Sequence, residues 1–185
     1  SLLVDLEYLT RDADDELEIT EFGSKLARIY GERDLLIAEA LRHGVWSKLD
    51  PASFAAMAAA LVYEARRDDS EMQPQVPKGF FISAAEETED LWHDLDMMSR
   101  EHKLPQTPPL DFSLAMPIYR WATGARLDTV LGMADLLPGD FIRWSKQIID
   151  LLDQIASVAE APVSTTAKAA VDKVKRGIVA YSYYG

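Results

Sequence analysis

From Pro138 to Ala159 the chain reads PGDFIRWSKQIIDLLDQIASVA, and no proline or glycine interrupts it again until Pro162. Phe141, Ser145, Ile148, Leu152, Ile155 and Ala159 fall on one line at helical spacing. Trp144, Leu151 and Ala156 widen that line into an apolar stripe, which a helix must bury against other elements. The opposite face carries Arg143, Lys146, Gln147, Asp150, Asp153 and Gln154. Pro138, Gly139 and Asp140 form a start signal, with Asp140 placed to accept hydrogen bonds from the free amides of the first turn. A helix of this length is roughly 30 Å long, enough to cross a small domain. The rest of the chain is therefore expected to pack around it as further helices.

The totals set the outer limits. A chain of 185 residues with 48% apolar side chains can build one compact domain with a real core. With no cysteine it holds no disulfide and no thiolate zinc site. The net charge of −12 argues against a free-standing binder of bulk nucleic acid, which must neutralise phosphates. Any contact with nucleic acid then needs a local patch. No run reaches the length of a membrane span and no signal peptide is visible, so a soluble, cytoplasmic protein is expected. The opening SLLVDLEYL starts in mid-pattern without Met, as a piece of a longer protein would.

In chain order, Ser1 to Tyr8 reads as the end of a helix. The acidic turn DADDE lies between the short β-prone pieces LT and LEI, a pattern that suits a small hairpin or wing. Thr20 caps a helix through Tyr30, and Asp34 starts another that Gly44 closes. Asp50 and Pro51 open a third, PASFAAMAAALVYEARR, apolar on nearly every side up to Tyr63 and read as a central, close-packed helix. The connector DDSEMQPQVPK follows. Ser83 is expected to open a long helix to about Lys103, with Leu91, Trp92, Leu95 and Met98 inward. Its other face carries Glu86, Glu87, Glu89, Asp90, Asp94 and Asp96. Short helices are expected over Ser113 to Thr123 and Leu127 to Ala134. After the long helix, Thr165 or Thr166 caps a last one to about Tyr181. The result is an all-α bundle around a long central helix, with residues 1–20 as the tail of a winged-helix domain and 21–185 as the bundle.

Much catalytic chemistry is missing. No two glycines stand two apart, so there is no dinucleotide fingerprint, and neither GxxxxGK nor GxSxG occurs. The chain alone is not expected to hydrolyse nucleotides or transfer hydride. Asp90 and His93, with Glu86 and Glu89, have the spacing of half a helical di-metal site. The second half has no counterpart, and a solvated acidic face is the simpler reading. Arg120 and Arg126 flank Trp121 and Gly124, with Trp121 read as core and the arginines as surface charges or phosphate contacts. Lys168, Lys173, Lys175 and Arg176 make the last helix locally basic, as helix C-termini favour. Lys146 and Asp150 can pair four residues apart. The run RLDTVLGMADLLPGDFIRWSKQ also has a helix-turn-helix look, but offers few cations to a DNA backbone.

FGSKLARIY, ALRHGVW, LDPASFAAMAAALVYEAR, IYRWATGARLDTVL, LLPGDFIRWSKQIIDLLDQIA and AVDKVKRGIVAYS occur in that order. Together they resemble the DSHCT domain, the C-terminal helical domain of superkiller-type DExH-box RNA helicases, and within it the actinobacterial HelY-like branch. The resemblance runs from Leu17 onward. It implies a bundle standing behind two motor domains and a winged helix, with a long ratchet helix touching single-stranded RNA as it leaves the motor. That role falls to the helix beginning near Gly139, with Arg143, Lys146, Gln147 and Asp150 on the strand-facing side. The family carries a basic side chain where this chain has Gln147. Arg120 and Arg126 are further candidate contacts. ATP and magnesium are expected to serve the motor domains, with no cofactor or metal in this chain. The implied partners are single-stranded RNA, the motor domains of the same polypeptide and proteins of RNA decay, in RNA processing. The competing reading is a protein-interaction domain whose acidic helix docks a basic partner.

Overall fold

A computed structural model describes residues 9–11, 17–19, 33–64, 73–101 and 107–184. The helices expected over Ser1 to Tyr8 and Thr20 to Tyr30 lie outside those residues. The two β-prone pieces do pair: strands β1 (Leu9–Arg11) and β2 (Leu17–Ile19) run antiparallel, with Leu9 opposite Ile19 and Arg11 opposite Leu17. Every other regular element among the described residues is helical, and the protein is an all-α bundle.

The chain divides into two compact units, one of residues 1–45 and 87–109, the other of 46–86 and 110–185. The first holds β1, β2 and helix α1 (Asp34–Arg42), whose Leu36, Ile37, Ala38 and Ala40 are buried. Gly44 terminates α1 at φ +65°, a conformation that costs a residue without Cβ little. The same unit takes most of helix α3 (Phe80–Glu101). There Thr88, Leu95 and Ser99 are buried, while Glu87, Glu89, Asp90, His93 and Asp94 face water. Trp92 Nε1 donates to the Thr107 carbonyl at 3.0 Å. The helix starts three residues before the expected Ser83, because Gly79, at φ +84°, supplies the turn. Ser83 lies inside it, its hydroxyl donating back to the Phe80 carbonyl.

The second unit is built on α2 (Pro51–Val62). The Asp50 carboxylate accepts from the Ser53 amide at 2.8 Å, and Pro51 occupies the first helical position. Ala55 to Leu61 have no exposed surface. Alanine has a short side chain, so neighbouring backbones can come close on several sides at once. Around α2 stand a 3-10 turn (Phe112–Leu114), α4 (Ala115–Ala122), α6 (Pro138–Val158) and α7 (Val163–Val174). The sequence pattern carried α2 through Arg67. It stops instead at Val62, where Tyr63 turns extended and sets its ring edge-on to Trp144, centroids 5.0 Å apart.

Helix α5 (Leu127–Ala134) matches its expected bounds and closes on Asp135 at φ +53°. Two further starts differ from expectation. Leu137, not Asp140, holds the cap position of α6, and Asp140 lies inside the first turn. An acidic residue there still suits the helix dipole. Beyond α6, α7 begins at Val163, ahead of both threonines, and the Thr166 hydroxyl donates to the Pro162 carbonyl at 3.1 Å. The expected last helix is two helices. It breaks at Lys175 and Arg176 and resumes as α8 (Gly177–Tyr181).

Candidate functional site

Helix α6 has the two-sided character its sequence implied. Phe141, Ser145, Ile148, Ile149, Leu151, Leu152, Ile155 and Val158 are buried, against α7 and α2. Arg143, Gln147, Asp150 and Asp153 are exposed along the other side, with Lys146 and Gln154 half-buried. Burying one face this completely makes the helix stiff and fixes where its polar row points.

Two cations on that row are held by aromatic rings. The Arg143 guanidinium lies 4.9 Å from the centroid of Trp144, and its Nη2 is 3.5 Å from Asp140 Oδ1. Trp144 is itself braced by Tyr63. One turn on, Lys146 Nζ donates to the Ser182 carbonyl at 3.3 Å and lies 4.9 Å from the Tyr183 ring centroid. From the break after α7, Lys175 Nζ stands 4.1 Å from the same ring. Both contacts are cation–π attractions, in which the ring quadrupole meets the ammonium. Burial, then Asp150 and Asp153, raise the Tyr183 pKa above its ordinary value. Lys146, on the side that the resemblance turns toward the strand, is half-buried and partly covered by the segment after α8.

The other two predicted contacts sit at either end of the turn between α4 and α5. Arg120 is exposed in the last turn of α4. Arg126 caps α5 by position, with its Nε 3.5 Å from Asp128 Oδ1, both side chains well exposed. Trp121 between them is core: it is 2% exposed, and its ring meets Phe141 edge-on at 5.3 Å.

Sequence reasoning placed Arg176 in a solvated basic run, and the structure turns it inward. Its Nε donates to the Trp121 carbonyl at 2.8 Å, its Nη2 donates to the Ala125 carbonyl, and the guanidinium lies 3.7 Å from the Trp121 ring centroid. Trp121 Nε1 in turn donates to the Val174 carbonyl at 2.8 Å. Arg176 and Trp121 together lock the α7–α8 break onto the α4–α5 turn. Burial lowers the Arg176 pKa from its ordinary value, as expected for a cation taken partly out of water. Among the described residues no three His, Asp or Glu side chains are grouped to hold a metal ion, and no helix is long and apolar enough to cross a membrane.

The chain is 38% identical to the "Probable helicase HelY" of Mycobacterium leprae over 190 residues, 97% of this chain and 20% of that protein. The protein of the same name in Mycobacterium tuberculosis is also 38% identical, with 97% and 21% covered. The "ATP-dependent RNA helicase mtr4" of Schizosaccharomyces pombe is 24% identical over 159 residues, 83% of this chain and 14% of that protein. The chain therefore spans about a fifth or less of the length of these relatives. The family described as DSHCT (NUC185) domain matches residues 16–182. With a family match that spans residues 16–182 of an all-α chain, this protein belongs to the DSHCT domain family.

Proposed function

We propose that this domain is the strand-contacting accessory part of an ATP-dependent RNA helicase, with α6 lying along single-stranded RNA as the strand leaves the motor. The observation that carries the reading is α6 itself. One face is wholly buried, and the other presents Arg143, Gln147 and Asp150 to solvent in a single row. A row of mixed sign holds a polyanion loosely, and the acidity of the whole chain lowers its affinity for nucleic acid further. Loose contact suits a strand that must move. Arg143 is the strongest candidate contact, since Trp144 and Asp140 hold its guanidinium in place. Arg120 and Arg126 are exposed and available to phosphates.

ATP and magnesium then belong to motor domains elsewhere in the same polypeptide, because this chain has no glycine loop of phosphate-binding spacing. RNA processing or decay in the cytoplasm is the setting, with decay proteins as further partners, and residues 1–20 are the tail of a winged-helix domain preceding the bundle. The test is Arg143→Ala with Gln147→Ala in the full-length parent helicase. Unwinding is expected to fall more than ATPase, with an unchanged melting temperature, since exposed truncations change stability by under about 0.5 kcal/mol. Equal loss of both activities would mean that α6 couples to the motor and does not grip the strand. No loss of either would favour the second reading, in which the exposed acidic face of α3 docks a basic protein.

A further inference from the structure

Three tyrosines occur within four residues at the end of α8 and the turn beyond it: Tyr181, Tyr183 and Tyr184. None serves the core, where Val179 fills the α8 position. Tyr181 is 77% exposed, Tyr184 is 85% exposed and Tyr183 is 39% exposed. Large rings left in water next to one another mark a surface that something else covers.

The rings stand on an anchored segment. Ser182 Oγ donates to the Val179 carbonyl at 2.6 Å, and the Tyr183 and Tyr184 amides donate to the Ala180 and Tyr181 carbonyls. Lys146 ties the Ser182 carbonyl to α6. Arg176 bolts the start of α8 to the α4–α5 turn. The segment therefore presents Tyr183 beside the polar row of α6, with the exposed Tyr181 and Tyr184 adjoining it along the chain. Lys146 and Lys175 bring ammonium groups to 4.9 and 4.1 Å from the Tyr183 ring centroid.

We propose that Tyr181, Tyr183 and Tyr184 form a base-stacking platform for single-stranded nucleic acid, continuous with the polar face of α6. The proposal rests on the strand-contact reading of α6 and extends it. Cations and rings side by side match the two chemistries of a single strand. Phosphates meet ammonium groups, and bases stack on aromatic faces whatever their sequence. Tyr181 and Tyr184 offer the open rings. Tyr183, held by its two lysines, links them to Lys146 on α6. Asp150 and Asp153, close enough to Tyr183 to act on its phenol, limit how tightly phosphates are held. Stacking then supplies affinity that the acidic surface does not.

The test measures binding of a fluorescein-labelled twelve-nucleotide oligouridylate to the 185-residue chain by anisotropy, from low to moderate salt. Tyr181→Ala with Tyr184→Ala is expected to weaken binding at least about fivefold for each ring lost. The slope of log K against log salt should stay the same, because no phosphate contact goes. Tyr181→Phe with Tyr184→Phe should restore binding. Arg143→Ala should instead flatten the salt slope, by about 0.7 for one contact. Far-UV circular dichroism checks that each variant is folded. Unchanged affinity in the alanine pair overturns the platform, and a simultaneous loss in Arg143→Ala would leave the α6 reading standing. Loss in the alanine pair with none in Arg143→Ala supports the platform and overturns the α6 contact. No binding by the unaltered chain at millimolar concentration overturns both. A proline-rich peptide bound through the same tyrosines, with RNA binding untouched, would make the patch a protein-docking surface and overturn the proposal.

Discussion

Replacing Arg176 with alanine should destabilise the domain far more than its place in a basic run suggests. The substitution leaves the Trp121 and Ala125 carbonyls without the donors that reach them. It also removes the guanidinium from the face of Trp121, where it lies at 3.7 Å. A hydrogen bond from a charged donor is worth about 1.5–3 kcal/mol net, and a cation–π contact adds about 0.5–2 kcal/mol. These terms overlap, and removing a half-buried charge recovers part of its desolvation cost. A net loss of about 3 kcal/mol follows, in the range expected when a buried network is broken. Arg176→Lys should lose about 2 kcal/mol, because one ammonium cannot fork to two carbonyls as a planar guanidinium does. In urea unfolding followed by far-UV circular dichroism, a slope near about 2 kcal/mol/M would move the Arg176→Ala midpoint down by about 1.5 M. Lys173→Ala, exposed on α7, is the control and should shift stability by under about 0.5 kcal/mol. A loss below about 1 kcal/mol for Arg176→Ala, or full stability in the lysine variant, would refute the reasoning. A weakened lock should also loosen the tyrosine segment, since α8 begins at the residue after Arg176.

Ser145 lies on the buried face of α6, and its hydroxyl has no hydrogen-bond partner among the described residues; Ser145→Ala removes a buried, unmatched polar group and should stabilise the domain by about 1 kcal/mol, read from the same urea midpoint. Asp153 gives a pH signature. Partial loss of hydrating water first, and repulsion from Asp150 next, raise its pKa above the ordinary 3.8, against the pull of Lys175. A carboxyl with a raised folded pKa contributes stability that is complete below its unfolded value and lost as pH rises through the folded one. Asp153→Asn should therefore raise the melting temperature slightly at pH 7, and the gain should vanish below pH 3.8. Solvent screening keeps the effect small, because Asp153 is exposed. An equal gain at both pH values would show that charge is not its source.

Several elements were legible because their signals are local. Asp50 and Pro51 carry their own start, and the capping bond needs only the amide three residues on. The bounds of α5 follow from its periodicity. The stripe on α6 from Phe141 to Ile155 is buried as its spacing demands. The all-alanine face of α2 announces a helix that others approach closely, and they do. Other readings failed because a contact distant in sequence had changed the balance. Ile149 and Val158 widen the buried face of α6 because both α2 and α7 press on it. Tyr63 leaves the helical path and packs against Trp144, 81 residues on. Lys146 looks like a free charge on a polar face until Ser182 and Tyr183 fold back over it. Arg176 differs most. In the sequence it belongs with Lys173 and Lys175 as one more surface cation. Its acceptors are the carbonyls of Trp121 and Ala125, 55 and 51 residues earlier, on either side of a turn that Gly124 makes at φ +104°. A side chain's charge and helical phase are written in its neighbours along the chain. Whether that charge meets water or a backbone carbonyl depends on which distant turn the packing brings within about 3 Å.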